Sequence, residues 1–272
     1  MRIRHPAVAG LFYPAQPAAL LATVQTLLGE VAAGPSPAIA VIAPHAGYVY
    51  SGGTAAQVFA RVDVPRSCIV VAPNHTGAGA AVHGGSVYAV GALVTPVGEV
   101  QVDETLAASL LAACSFLEDD PDAHRREHAV EVELPFLLAR RPDVTVVPIV
   151  LGWGDWPRTR ALGEALAAVV RESSGPVLLV ASSDMNHYES AEVTCAKDRL
   201  ALAPIERLDG EELLEVTRKH RVTMCGRVPA AAVLHAARLL GASRAELVHQ
   251  SHSGMVTGDD TQVVGYAGVI VR

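Results

Sequence analysis

The chain has 272 residues and a net charge of −7; half of it is hydrophobic and 4% is aromatic. That length buries a sizeable core, and an acidic balance with no Lys/Arg-rich run argues against nucleic acid as the main partner. The four cysteines, Cys68, Cys114, Cys195 and Cys225, form no CxxC pair, so they indicate neither a zinc ribbon nor a disulfide framework and fit a reduced, cytoplasmic setting.

The opening from Met1 to Pro14 is mildly basic, but Pro and Gly interrupt it before an apolar core develops, which makes it a poor signal peptide. No run of about 18 apolar residues occurs later, so no membrane-spanning helix is expected. Pro17 to Val31 carries Leu20, Leu21, Val24, Leu27, Leu28 and Val31 at spacings of one, three and four, which predicts a helix with one buried face. Gly34-Pro-Ser-Pro ends it. Ala38 to Ile42 then reads as a short buried strand that breaks into Ala43-Pro-His-Ala-Gly-Tyr-Val-Tyr-Ser-Gly-Gly. His45 therefore sits at a strand's carboxyl end, where open α/β sheets form their ligand crevices. Gly52 to Val62 reads as a helix whose amino terminus lies beside His45 and favours an anion or polarised oxygen there.

The next strand, Cys68 to Ala72, runs through Pro-Asn74 to His75, and the Gly/Ala-rich stretch from Thr76 to Gly85 is expected to line the site as a loop. Short strands or a hairpin follow between Gly84 and Gly98. Asp103 to Leu117 reads as a helix with Asp103 as its cap. In Arg126-Glu-His-Ala-Val-Glu-Val-Glu-Leu-Pro, helical spacing puts Glu127 and Glu131 on one face. At least two of Glu127, Glu131 and Glu133 are expected to be solvated or paired locally with arginine, and His128 is the member with a claim to the site.

Val144 to Leu151 is a strand, Gly152 to Asp155 a turn and Arg158 to Glu172 a helix. Val177 to Ala181 is a strand ending at Ser-Ser-Asp184-Met-Asn-His187. Glu189 to Leu208, Asp209 to Arg218 and Ala230 to Leu240 read as helices, and Ala245 to His252 with Gln262 to Val271 closes the chain. Strands alternating with helices predict an α/β fold with a largely parallel, doubly wound central sheet and helices on both faces. No repeat or linker divides residues 1–272, so a single domain is the economical expectation.

Eleven histidines are present, and one histidine alone is more often structural than functional. Three apolar runs that each end in a histidine, at His45, His75 and His187, instead point to one convergent site, and neutral imidazole is the commonest ligand for mid-row transition metals.

With these pieces in place, the sequence resembles the Memo family, whose prokaryotic members are called AmmeMemoRadiSam system protein B. The resemblance rests on Ala9-Gly-Leu-Phe-Tyr-Pro, Ala43-Pro-His-Ala-Gly-Tyr-Val-Tyr-Ser-Gly, Ala72-Pro-Asn-His, Glu127-His-Ala-Val-Glu-Val-Glu-Leu-Pro-Phe, Ser182-Ser-Asp-Met-Asn-His-Tyr, Cys225-Gly-Arg-Val-Pro and Val263-Val-Gly-Tyr-Ala-Gly. It implies a fold similar to class III extradiol ring-cleaving dioxygenases, in which two histidines and a carboxylate hold Fe(II). His45 and His75 match the metal pair; His187, with Asp184, matches the acid/base position. Tyr48, Asn74, His128, Cys225, His252 and Met255 are the expected substrate-binding set. The sequence departs from the pattern at Ser253-Gly-Met255, where prokaryotic relatives often carry Ser-Gly-Asp; Asp184, His187, His252 and Asp259 remain as third-ligand candidates. Cys225 precedes a helix whose amino terminus can depress a thiol pKa, but the favoured reading is a small buried core residue, which leaves Cys225 a secondary candidate.

The resemblance thus implies an Fe(II)-dependent, dioxygenase-like oxidoreductase acting on a small molecule, with Cu, Zn or no metal as alternatives. A non-catalytic peptide- or partner-binding protein and a metal-assisted hydrolase are the competing functions. It also implies an association with a radical S-adenosylmethionine protein and an AMMECR-type protein.

Overall fold

The structure, a computed structural model, describes residues 2–29, 34–79 and 84–272. In chain order the elements begin with β1 (Ile3–Arg4), α1 (Pro17–Gly29), β2 (Ala40–Ala43), α2 (Tyr48–Phe59), β3 (Ser67–Pro73), β4 (Gly85–Val87), β5 (Ala92–Thr95) and β6 (Gly98–Val102). There follow α3 (Glu104–Ala113), β7 (Leu117–Asp119), α4 (Pro121–His124), α5 (Ala129–Arg140), β8 (Thr145–Leu151), α6 (Trp156–Glu172) and β9 (Val177–Ser182). The last third holds β10 (His187–Glu189), α7 (Ala191–Glu206), α8 (Gly210–Lys219), α9 (Arg227–Leu239), β11 (Ala245–His252), α10 (Gly254–Thr257) and β12 (Val263–Val271).

Twelve strands form one mixed sheet with the path β1-β5-β6-β8-β3-β9-β2-β12-β10; β11 pairs with β12, and β4 with β7 and β8. Its centre is parallel: β6 with β8, β8 with β3, β3 with β9 and β9 with β2. The sequence dictates that arrangement. β2, β3, β8 and β9 are nearly continuous apolar runs, fully buried along almost their whole length, as strands covered on both faces must be. The cover is visible in the packing: α1, α2 and α5 touch one another, α6 and α8 both pack on α9, and α2 and α9 reach β2. Helices therefore lie on both faces of a largely parallel sheet.

β12 runs antiparallel to β2, pairing Val269 with Ile42. Its beginning therefore lies at the edge where the parallel strands end, and β11, antiparallel to β12, brings His252 opposite Gly265 at that same edge. Gly265 allows a close approach here, since a Cβ on it would lie 2.1 Å from Asp198 Oδ2.

Two sequence readings need correction. The helix expected from Asp103 to Leu117 stops at Ala113, and Leu117 opens β7, where Leu117 pairs with Gly85 of β4. Asp103 does cap α3, accepting the Leu106 N–H at 3.1 Å. The expectation of solvated or locally paired glutamates is overturned as well: Glu127, Glu131 and Glu133 are at most 2% exposed, with partners far away in sequence. The loop expected from Thr76 to Gly85 lies partly outside the described residues.

Candidate metal centre

His45 follows β2 and is 1% exposed. Its main-chain N–H donates to Asp184 Oδ1 at 2.9 Å, which ties the end of β2 to the end of the neighbouring β9. Its ring Nδ1 lies 2.8 Å from Ser182 Oγ, leaving Nε2 on the other side of the ring, 3.3 Å from Cys225 Sγ.

His75 follows β3. Glu127 holds it twice, accepting its main-chain N–H at 2.6 Å and its ring Nδ1–H at 2.9 Å. Burial alone pushes the Glu127 carboxyl up, but its hydrogen bond to and charge interaction with His75 outweigh burial and hold it below the usual carboxylate range. His128, at the amino end of α5, stacks on His75 with ring centroids 4.5 Å apart, and its Nδ1 lies 3.4 Å from Glu127 Oε1. One ring nitrogen from each of His45, His75 and His128 lies within 4.8 Å of the others.

These residues fit a metal ion. Glu127 and Ser182 engage Nδ1 of His75 and His45, which leaves Nε2 as the ligand atom of each ring. Such outer contacts set ring tautomer and orientation in metal sites. Burial lowers the His45 pKa well below its ordinary value and brings His128 to about 4, so both rings are neutral, the ligating form, at pH 7. An all-imidazole set suits Zn, Cu or Fe without selecting among them.

Beneath the cluster lies a buried chain of hydrogen bonds. Ser182 Oγ sits 2.6 Å from Glu133 Oε1 and 2.9 Å from the Ala129 carbonyl. Burial raises the Glu133 carboxyl to about 8. A protonated Glu133 donates to Ser182 Oγ, the hydroxyl donates onward to Ala129, and Nδ1–H of His45 donates to the same oxygen. All three protons are then placed, and Nε2 of His45 carries the lone pair.

A second buried network secures the other side. Arg4 forms an ion pair with Glu131, and its guanidinium also donates to the carbonyls of His124 at 3.1 Å and Glu127 at 2.6 Å. Glu131 in turn accepts from the N–H groups of Ala7 and Val8 and from the Tyr13 hydroxyl. This fixes the amino-terminal segment against α5 and lays the Phe12 ring edge-on to His128, centroids 4.7 Å apart.

The remaining residues singled out from sequence divide into two groups. Asp184, Cys225 and His187 lie at the cluster. Burial raises Asp184 to about 7. Cys225 is half-buried, and its sulfur accepts the Asp184 N–H at 3.2 Å. Its thiol pKa is not depressed, in keeping with the favoured reading of a small core residue: burial, then the Asp184 charge, push it up, outweighing the start of α9. Gly226 beside it is required by space, because a Cβ there would meet Ser182 O and Ser183 Cβ at 2.4 Å. His187 feels His75 electrostatically, donates its main-chain N–H to Thr223 Oγ1 at 2.7 Å, and keeps a buried Nδ1 without a hydrogen bond among the described residues.

The second group has other engagements. The Tyr48 hydroxyl donates to the Val132 carbonyl at 2.7 Å and its ring packs on Phe136. Asn74 shapes the turn after β3, its side chain binding Thr76, Gly77 and Ala78. His252 lies 3.7 Å from Asp260, and Met255 is 67% exposed on α10. Of the third-ligand candidates from sequence, none joins the three-histidine group; His128 does. Sequence reasoning missed Glu127, Ser182 and Glu133 as supports. Their one local signal was three acidic residues set among apolar neighbours.

Residues 4–270 match the family of Memo-like proteins. A MEMO1 family protein of Aquifex aeolicus is 40% identical over 272 residues, covering 99% of each chain. MEMO1 family protein MK0963 of Methanopyrus kandleri is 38% identical over 282 residues, again covering 99% of each. The crystal structure of uncharacterized protein JW3007 from Escherichia coli K12 shares the fold, with a TM-score of 0.50, 14% identity, and coverage of 84% of this chain and 98% of that one.

Proposed function

The chain belongs to the Memo family, and from that premise we propose that it is a metal-dependent oxidoreductase of the extradiol dioxygenase type, acting on a small substrate with Fe(II). The observation that carries this reading is the convergence of His45, His75 and His128, with Nδ1 of His45 and of His75 held from behind by Ser182 and Glu127. The bound metal would supply Lewis acidity and a redox couple. The chain's own residues supply the rest. His45, His75 and His128 would hold the ion, with His45 buried, His128 half-buried and His75 open to solvent. Asp184, with its carboxyl near 7, holds and releases a proton near neutral pH; burial lowers His187 below its ordinary value, so its ring is a neutral proton acceptor. Four unpaired cysteines support a reducing compartment, the cytoplasm. Among the described residues no helix is long and apolar enough to cross a membrane.

The experiment is metal analysis of protein purified without oxygen, beside a His45→Ala, His75→Ala double variant. Near-stoichiometric iron lost in the variant, together with O₂ uptake on catechol-like compounds, is the expected result. Wild-type protein that cannot be loaded with Fe(II), Cu or Zn overturns the proposal. The second reading, a partner-binding protein, is favoured by exposed Val49, Tyr50 and Tyr188 on segments next to His45 and His187. Metal binding without O₂ uptake on any compound is its signature.

A further inference from the structure

Beside the imidazoles, a cleft of about 230 Å³ opens between the carboxyl ends of β3 and β8 and the start of α9. Asn74, Leu151, Trp153, Gly154, Cys225 and Arg227 line it. It reaches the metal centre from two directions: Asn74 precedes His75, and Cys225 Sγ is 3.3 Å from His45 Nε2. The cleft sits at the sheet edge where α/β folds bind their ligands, and it leads into a larger groove of about 690 Å³ that shares Gly154, Cys225 and Arg227.

Charge is distributed unevenly between the two spaces. The large groove is balanced, with Arg218, Arg221 and Arg227 facing Asp155, Glu211 and Glu215. The cleft has Arg227 as its charged residue and no carboxylate among its described lining residues. No described carboxylate forms an ion pair with Arg227 elsewhere. α9 points its amino end the same way, and its cap, Gly226, offers no side chain to that end. A small cleft with one unpaired guanidinium has a definite chemical preference, because guanidinium matches carboxylate in planar, two-point geometry.

We infer that this cleft seats a small single-ring or short-chain substrate through a carboxylate held by Arg227, with its reacting end directed to the Cys225 and His45 side. The inference rests on the proposed reading of the histidine cluster as a catalytic centre, since it names the substrate class of that centre. The cleft itself, at about 230 Å³, accommodates one ring with a carboxylate.

The chain's two tryptophans provide the readout, because Trp153 lines the cleft and Trp156 lines the groove. Metal-free protein is titrated with benzoate and, separately, with benzamide, its uncharged analogue, while intrinsic fluorescence is recorded. The expected result is saturable binding of benzoate, weakened about tenfold or more in Arg227→Ala, intermediate in Arg227→Lys, and weak, unaltered binding of benzamide. Arg227 is exposed, so the variants are expected to keep the wild-type circular dichroism spectrum; the graded Lys result separates charge from packing. Equal benzoate affinity in wild type and Arg227→Ala, equal affinity for benzamide, or no saturable binding overturns the inference. The titration uses no metal, so failure to load iron would leave a positive titration standing and remove only the catalytic reading.

Discussion

Glu127 grips His75 at two points, taking its main-chain N–H on one carboxylate oxygen and its ring Nδ1–H on the other, at 2.6 and 2.9 Å. A glutamine at 127 keeps the size but replaces one acceptor oxygen with a donor facing His75. Glu127→Gln is expected to weaken Zn²⁺ or Co²⁺ binding about 10- to 100-fold. Isothermal titration with Zn²⁺ checks this, and unchanged affinity would remove Glu127 from the support of the site.

Glu133 gives a pH dependence of definite sign. Its folded pKa, about 8, is raised above the ordinary carboxyl value by burial. Its contribution is therefore intact below about pH 4.5 and is lost as pH rises through 8. Glu133→Gln can still donate to Ser182 but cannot ionise. Its stability relative to wild type is expected to improve by about 2 to 3 kcal/mol between pH 6 and pH 8. Urea unfolding at both values measures this, and parallel curves would show that Glu133 is not held protonated.

His124 titrates with the opposite consequence. Burial lowers it to about 4, and its Nε2–H donates to the Ser86 carbonyl at 3.1 Å. The unfolded chain takes up the proton near pH 6.5 and the folded one near 4, so stability falls as pH drops through that window. Replacing it with glutamine is expected to remove about 2 kcal/mol of the loss between pH 6.5 and pH 5. An acid limb as steep as the wild type's counts against it.

The Arg4–Glu131 pair is 5% and 0% exposed, so breaking it from one side strands a buried charge. Arg4→Met is expected to cost about 3 to 5 kcal/mol. Adding Glu131→Gln should recover part of that, giving a non-additive cycle. Additive losses in denaturant midpoints would show that the pair is not coupled.

What could be read from sequence was whatever is local. The apolar runs of β2, β3, β8 and β9 declare strands buried on both faces, and the Pro, Asn and Gly that follow place His45 and His75 at their ends. The partners of Glu127, Glu131 and Glu133 come from positions 75, 4 and 182, and no spacing within α5 encodes them. The same limit left His128 in the expected substrate-binding set rather than among the ligands: it is carried to the other two histidines by the docking of α5 against β3 and β9, a tertiary event. Cys225 was legible on both counts, as a residue at a helix start and as a small core residue, and burial outweighs the helix start.

The antiparallel placement of β12 beside β2 also bears on how the chain acquires its site. β2 leaves the ribosome early, yet the strand that completes its hydrogen bonding, from Val269 opposite Ile42, is made far later. Until then, the edge of the strand leading into His45 that β12 covers has no partner from within the chain, the kind of edge that invites association between chains. A metal ion offered during synthesis would meet the three histidines in an incomplete wall. The wall behind His45 is thus complete only once the last strand of the chain is in place, which joins the site's first histidine to the end of the sequence.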